Sequence, residues 1–289
     1  MSRPESRSLA RSLRLDWRVL ILLSMAATLA ACAGGFKPQN YANSEALFRA
    51  SLIEYQRKNY ENAQIGFERL TNDLSARDPL LAPAFYYLAL SHEQRGEFLL
   101  AAQAYQRVTD GFPDDTLAPG SMLGVGRSYQ GLWRRPNLDP ENGQKAVSIL
   151  RALLSSYPDA KKETADAKAR IAQLEEWFAE KDYLTGVHYV RVRRAVDPAI
   201  IYFKDVVTTY PSTKAARLSW LKLHELYTKI RWKDDAAETC AAMWKAYPGD
   251  PAVKLECGAP TAEKAVATPA KPPKDTIVSP VAYARPGPR

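Results

Sequence analysis

Between residues 43 and 258, apolar side chains recur every three to four positions in short runs, and the runs are closed by proline. A period of three to four places side chains on one face of an α-helix, whereas a half-buried strand would alternate at every second residue. The punctuation recurs. Pro79, Pro113, Pro158, Pro211 and Pro248 each follow an aromatic residue or an aspartate, at intervals of 34, 45, 53 and 37 residues. In the clearest copy Phe85, Leu88 and Ala89 mark a first helix and Gly96 and Phe98 its turn; Ala101, Tyr105 and Val108 mark a second helix ended by Pro113. A later copy sets Trp220, Leu223 and Tyr227 against Ala236, Met243 and Pro248. Tyr60, Ala63, Phe67 and Leu70 supply the second helix of the first copy. Gly126 and Tyr129, then Ala146, Leu150 and Leu153, supply both helices of the third.

Paired helices with these residues at these offsets, repeating near 34 residues, resemble the tetratricopeptide repeat. The pattern predicts an all-α fold, a right-handed superhelix of about five helix pairs. Alanine where the two helices cross lets their backbones approach, aromatics fill the gap to the next pair, and proline ends the second helix because it lacks a donor and clashes with the preceding turn. These are packing positions, so none is a candidate functional site. Two copies are longer than the rest. "WRRPNLD", residues 133–139, predicts an inserted loop in the third. In the fourth, Ala167, Ile171, Leu174 and Phe178 lie in a stretch without Pro or Gly from Ala160 to Thr185. That predicts one helix over Lys161–Arg194, about 50 Å long, with Gly186 its only weak point.

The ends read differently. Arg3, Arg7, Arg11, Arg14 and Arg18 precede an uncharged run, Val19–Ala31, of thirteen residues. That is short for a membrane span, which takes about 20 residues, but it suits a secretory signal peptide over residues 1–31. Leu29-Ala30-Ala31-Cys32 resembles the bacterial lipobox, which implies that Cys32 is lipidated and becomes the mature N-terminus. Ala33 follows it, not an aspartate that would favour inner-membrane retention, so an outer-membrane anchor with the body in the periplasm is expected. Residues 32–42 read as a tether and 43–258 as the helical body. Residues 259–289, with seven prolines from Pro260 onward, read as a tail that buries too little apolar surface to fold.

Charge and chemistry narrow the function. Without the leader, 35 basic side chains face 30 acidic ones. That mild excess, with no dense basic run among aromatics, does not indicate nucleic acid. His92, His188 and His224 lie in different repeats, and His92-Glu93 lacks the second histidine of a zinc-protease helix. His92 falls on a packing position and reads as a satisfied structural histidine. Gly120, Gly124 and Gly126 are followed by no Gly-Lys-Ser/Thr, and there is no Gly-x-Ser-x-Gly turn. Cys240 and Cys257 show no metal-ligand spacing; they are either a disulfide or a buried helix thiol and a loop thiol. No enzyme, catalytic residue, metal ligand or cofactor is expected, and what remains is binding on a helical-repeat surface.

The combination of lipobox, five repeats, an elongated helix after the third, and a fourth copy ending "FKDVVTTYPST" (residues 203–213) resembles the BamD family. These are the tetratricopeptide lipoprotein subunits of the outer-membrane β-barrel assembly (BAM) complex, and residues 157–213 are similar to the family's most recognisable region. The resemblance implies a scaffold in assembly and insertion of β-barrel proteins. Its partners would be the barrel-assembly subunit, other BAM lipoproteins, unfolded outer-membrane proteins and, through the lipid anchor, the membrane. It implies further that the C-terminal repeats dock the barrel subunit and that the N-terminal repeats face incoming chains. The other reading is a different outer-membrane repeat lipoprotein, a secretin pilotin or a cell-wall regulator. Arg191, Arg193, Arg194 and Lys204 along the fourth copy, with Arg231 and Lys233 at the turn of the fifth, are the candidate contacts for an acidic partner. Family members often place Asn-Arg where this chain has Ile201-Tyr202, so an aromatic contact from Tyr202 is expected there in place of an ion pair.

Overall fold

The computed structural model describes residues 36–258, which form eleven α-helices and, among the described residues, no strand. They are α1 (Ser44–Gln56), α2 (Tyr60–Asp73), α3 (Leu81–Gln94), α4 (Phe98–Gly111), α5 (Ala118–Leu132), α6 (Glu141–Ser156), α7 (Lys161–His188), α8 (Val196–Thr209), α9 (Lys214–Ile230), α10 (Lys233–Ala246) and α11 (Pro251–Cys257). Ten of them make the five expected pairs, and the short α11 is additional. The expected signal peptide, Cys32 and the tail from residue 259 lie outside the described residues. No helix among the described residues is long and apolar enough to cross a membrane.

The aromatic-Pro motif has a local cause. Phe112, Tyr157, Tyr210 and Tyr247 each leave the helix with φ between −127° and −139° and ψ between 54° and 65°. Each precedes a proline whose ring disfavours helical backbone at the residue before it. The tyrosines do a second job. Tyr157 Oη donates to the Pro113 carbonyl at 2.9 Å and Tyr247 Oη to that of Pro211 at 3.4 Å, so the stop of one repeat is tied to the stop of the one before. Pro79 acts differently: α2 has already ended at Asp73, five residues before Asp78-Pro79.

The turn inside a pair also recurs. Lys58, Gly96 and Arg231 hold left-handed backbone (φ 65°, 76° and 66°), and the next amide donates back to Glu54, His92 and Tyr227 carbonyls at 2.9 Å. This is the Schellman stop, which favours glycine. Two of the three copies use a long cation instead.

The chain forms two compact units that divide between Lys181 and Asp182, within α7. In the N-terminal unit each helix packs on the next, and first helices also touch (α1 with α3, α3 with α5). Ala63, Ala84, Ala89, Ala101, Ala102 and Ala146 are fully buried, as close helix crossings require. Trp133 departs from expectation. Read as the start of the inserted loop, it is buried to 1 % exposure against Trp177 and Phe178 of α7 (centroids 5.5 and 4.6 Å), with Gly143 leaving room for its ring. Only the residues after it form a loop, and Lys181 Nζ holds it by the Leu138 carbonyl at 3.1 Å.

The apolar face predicted for α7 is buried at Ala167, Ile171, Leu174 and Phe178. The helix runs unbroken through Gly186 for 28 residues, about 42 Å. It ends six residues before Arg194. Tyr189–Arg193 widen into a π turn and Arg194 turns left-handed at φ 53°. Gly186 is no weak point. A Cβ there would lie 2.7 Å from the Phe203 ring, so glycine lets α8 seat Phe203 against the helix.

Candidate partner-binding surface

The C-terminal unit is built on Phe203, Val206, Leu223, Leu226, Tyr227 and Met243, which bury the facing sides of α8, α9 and α10. With Phe203 turned inward, its helical neighbours Ile201 and Tyr202 point elsewhere: Ile201 is 68 % exposed and Tyr202 half-buried. Tyr202 stacks on Tyr189 of the π turn, with ring centroids 5.6 Å apart and planes at 20°. Burial, then the neighbouring Tyr189, pushes the Tyr202 hydroxyl pKa up, so this phenol stays a neutral apolar platform near neutral pH.

Arg191 and Arg193 project from the π turn and Arg194 from the left-handed residue that ends it. All three are exposed, and none is ion-paired with a described residue. Their backbone is held by the Ala195 amide, which donates to the Tyr189 carbonyl at 3.1 Å. A non-glycine residue in left-handed backbone is uncommon, and such residues concentrate at functional sites. The site therefore offers three unneutralised guanidinium groups, a stacked tyrosine pair and the exposed aliphatics Val192 and Ile201.

The other expected contacts sit in a second place. Lys204 lies with Nζ over the Tyr227 ring, 5.6 Å from its centroid. It lines a groove of about 230 Å³ with Trp220, Leu223, Tyr227, Asp235 and Glu238. Trp232 stacks on Tyr227 at 5.9 Å and 16°, and this positions the turn that carries Arg231 and Lys233. Arg231, Trp232 and Lys233 are exposed. The seven residues read as one cluster thus belong to two: Arg191, Arg193, Arg194 and Tyr202 on the π turn and α8, and Lys204, Arg231 and Lys233 around Tyr227. Periodicity missed Tyr189 and Trp232, though an aromatic beside each cationic left-handed turn was the available signal.

Histidine chemistry is divided likewise. His92, 8 % exposed, bonds through Nδ1 to Glu97 Oε2 at 2.7 Å, and this bond holds the Glu97 pKa below the ordinary carboxylate value. It is the satisfied structural histidine that its packing position predicts. His224 is not satisfied. Cys240 and Cys257 are joined in a disulfide with Cα atoms 5.6 Å apart, and His224 lies beside both sulfurs. Of the two readings left open for these cysteines, the disulfide is the one formed, and α9 sets His224 beside it at a separation that spacing between cysteines cannot reveal.

The family model of YfiO, an outer membrane lipoprotein, matches residues 40–243. The chain belongs to the YfiO family of outer membrane lipoproteins. YfiO is the BamD family, so the resemblance drawn from the lipobox, the repeats and residues 157–213 holds. None of the curated proteins compared with the chain matches it. Solved structures similar to it are low in identity. A thermophilic tetratricopeptide protein of Thermus thermophilus is 18 % identical with a TM-score of 0.34, over 74 % of this chain and 96 % of that one. The TPR2AB domain of yeast Sti1 in complex with pHSP90 is 12 % identical with a TM-score of 0.36, over 74 % and 81 %. A tetratricopeptide repeat protein from Parabacteroides merdae is 14 % identical with a TM-score of 0.33, over 74 % and 70 %. Membership of the YfiO family rests on the sequence match alone.

Proposed function

We propose that this YfiO-family chain is a lipid-anchored, periplasm-facing scaffold in the assembly and insertion of β-barrel proteins into the outer membrane. The family match over residues 40–243 carries the reading. Anchoring is assigned to Cys32, and sorting to the outer membrane agrees with Ala33 after it. The barrel-assembly subunit is assigned to the π-turn surface. Arg191, Arg193 and Arg194 meet an acidic face there, and the Tyr189–Tyr202 pair supplies the apolar contact where relatives often carry Asn-Arg. Lys204, Arg231 and Lys233 extend the docking surface around the Tyr227 groove. Incoming unfolded barrel proteins are assigned to the N-terminal repeats, where Phe85, Leu88, Leu100, Arg107 and Asp110 line an open cleft of about 530 Å³. Such a cleft suits an extended chain with alternating apolar and polar groups.

Controlled depletion of the protein tests the reading. Levels of many unrelated outer-membrane β-barrels should fall together, and the intact chain should co-purify with a barrel-assembly subunit. Loss of a single secretion apparatus with normal barrel levels would overturn it.

A further inference from the structure

Three elements of the C-terminal unit converge on one point. α9 brings His224, α10 brings Cys240, and Cys257 ends α11. A ring nitrogen of His224 and the two sulfurs all lie within 4.8 Å of one another. The sulfurs are bonded, yet the disulfide does not account for the histidine. His224 Nδ1 is buried and has no hydrogen-bond partner among the described residues. Glu256 Oε2 stands 3.7 Å from it, beyond hydrogen-bond distance, and pairs with the ring loosely and only when the ring is protonated. A buried, unbonded imidazole nitrogen is costly to leave idle.

We propose that His224, Cys240 and Cys257 form a redox-gated site for a thiophilic divalent cation such as zinc, closed as a disulfide when oxidised and opened to the metal by a dithiol reductant. The reductant gives two electrons and two protons to the sulfur–sulfur bond, leaves Cys240 and Cys257 as thiols, and becomes a disulfide itself. Each thiol then loses its proton to solvent as its sulfur bonds the cation. His224 binds through an unprotonated ring nitrogen, and the metal does not change oxidation state.

The geometry suits the exchange. Zinc holds sulfur at about 2.3 Å and imidazole nitrogen at about 2.0–2.1 Å in a tetrahedron, so the two sulfurs would sit about 3.8 Å apart and each about 3.6 Å from the nitrogen. The three donors lie within 4.8 Å of one another, and once the bond is reduced the sulfurs can rotate apart on Cα atoms 5.6 Å from one another and draw toward a shared cation. Glu256 is not among the donors gathered there, so water would complete the tetrahedron. Two thiolates and an imidazole are soft to borderline ligands, which favour zinc over magnesium or calcium. Either form ties α11 to α9 and α10, so the last repeat stays closed in both redox states.

The test uses the full chain, reduced with a dithiol, freed of excess reductant under anaerobic conditions, and titrated with Zn²⁺ alone against a chromophoric chelator. The reduced chain should take up one equivalent more than the Cys240→Ser/Cys257→Ser variant, and the oxidised chain no more than that variant. Zinc should shield Cys240 and Cys257 from maleimide labelling. His224→Ala should weaken binding by roughly tenfold or more, on the scale by which even outer-shell partners alter metal affinity. His224→Gln, closer in size, decides the outcome if the alanine variant unfolds by circular dichroism. The proposal is overturned if reduced wild type binds no more zinc than the double-serine variant, or if the folded His224 variant binds as tightly as wild type.

Discussion

The two units use the same helix-pair pattern and dispose of their charges in opposite ways. In the N-terminal unit seven of the eleven described arginines are ion-paired, and one pair is built into the packing. Arg127 of α5 pairs with Glu93 of α3, and Tyr105 Oη of α4 donates to the same carboxylate at 2.9 Å. Burial works against the Arg127 charge, but Glu93 overcomes it and pushes the guanidinium pKa above its ordinary value; burial and Glu93 together push the Tyr105 phenol up. In the C-terminal unit only Arg217 of five described arginines is paired. The others sit on turns, two of them in left-handed backbone. Charges consumed by the fold stabilise it, and charges left free on a rigid turn remain available to a partner. The difference singles out the turns of the C-terminal unit more sharply than counting basic residues does.

Removing a charge from the N-terminal unit should act on stability. Arg127→Met leaves Glu93 unpaired in a mostly buried place and should cost about 3 kcal/mol. Urea unfolding should show the loss, and Glu93→Gln together with Arg127→Met should recover part of it, since the cost is the uncompensated carboxylate. If the single change cost nothing, the contrast between the units would fail.

The C-terminal unit should depend instead on its covalent tie. Cys240 and Cys257 are 17 residues apart, and a bridge closing a loop of that size contributes about 2–3 kcal/mol. Cys240→Ser with Cys257→Ser, in the oxidised chain, should lower protection in hydrogen exchange over α9–α11 by that amount and leave α1–α5 unchanged.

Charge changes in the C-terminal unit should act on binding. Arg193→Glu with Arg194→Glu should leave the melting temperature within error and weaken capture of the barrel subunit by about 1–2 kcal/mol at low salt, less at high salt. Tyr202→Ala should weaken capture with little dependence on salt. Co-purification unchanged in both variants, with the fold intact, would move the interface off the π turn.

Two smaller effects sharpen the comparison. Arg217 bonds Asp250, which also caps α11 by accepting from the Ala252 amide at 2.8 Å, and the Arg217 bond lowers the Asp250 pKa to about 2. A depressed carboxyl pKa stabilises above the unfolded value near 4 and loses its contribution as pH falls through about 2. The gap in melting temperature between wild type and Asp250→Asn should therefore be full at pH 5 and close toward pH 2. Arg231→Gly relieves a left-handed backbone and should raise stability by about 0.5–1 kcal/mol, even as it removes a charge of the proposed docking surface. Stability rising while capture falls would show that Arg231 serves a partner and not the fold.

The helix pairs, their order, the buried stripe of α7 and the aromatic-Pro stops were readable from residues 43 to 258, because each depends on side-chain period, proline sterics and alanine size, all local in the chain. The burial of Trp133 was not, because it depends on Trp177 and Phe178, more than forty residues away. Nor was the role of Gly186, which depends on where Phe203 of another helix lands. The π turn that ends α7 escaped periodicity for a similar reason: Tyr189 packs on Tyr202, and that contact belongs to the pair of helices and not to either alone. The candidate site divides the same way. The run of charges named Arg191, Arg193, Arg194, Arg231 and the lysines, and the family resemblance named Tyr202, but only packing separated those on the π turn from those around Tyr227, and only packing set His224 beside two sulfurs. Rules that act within a turn or two of helix can be read along the chain. Distances between residues on different helices are set by which bulky side chain fills which gap, and that is decided when the helices meet.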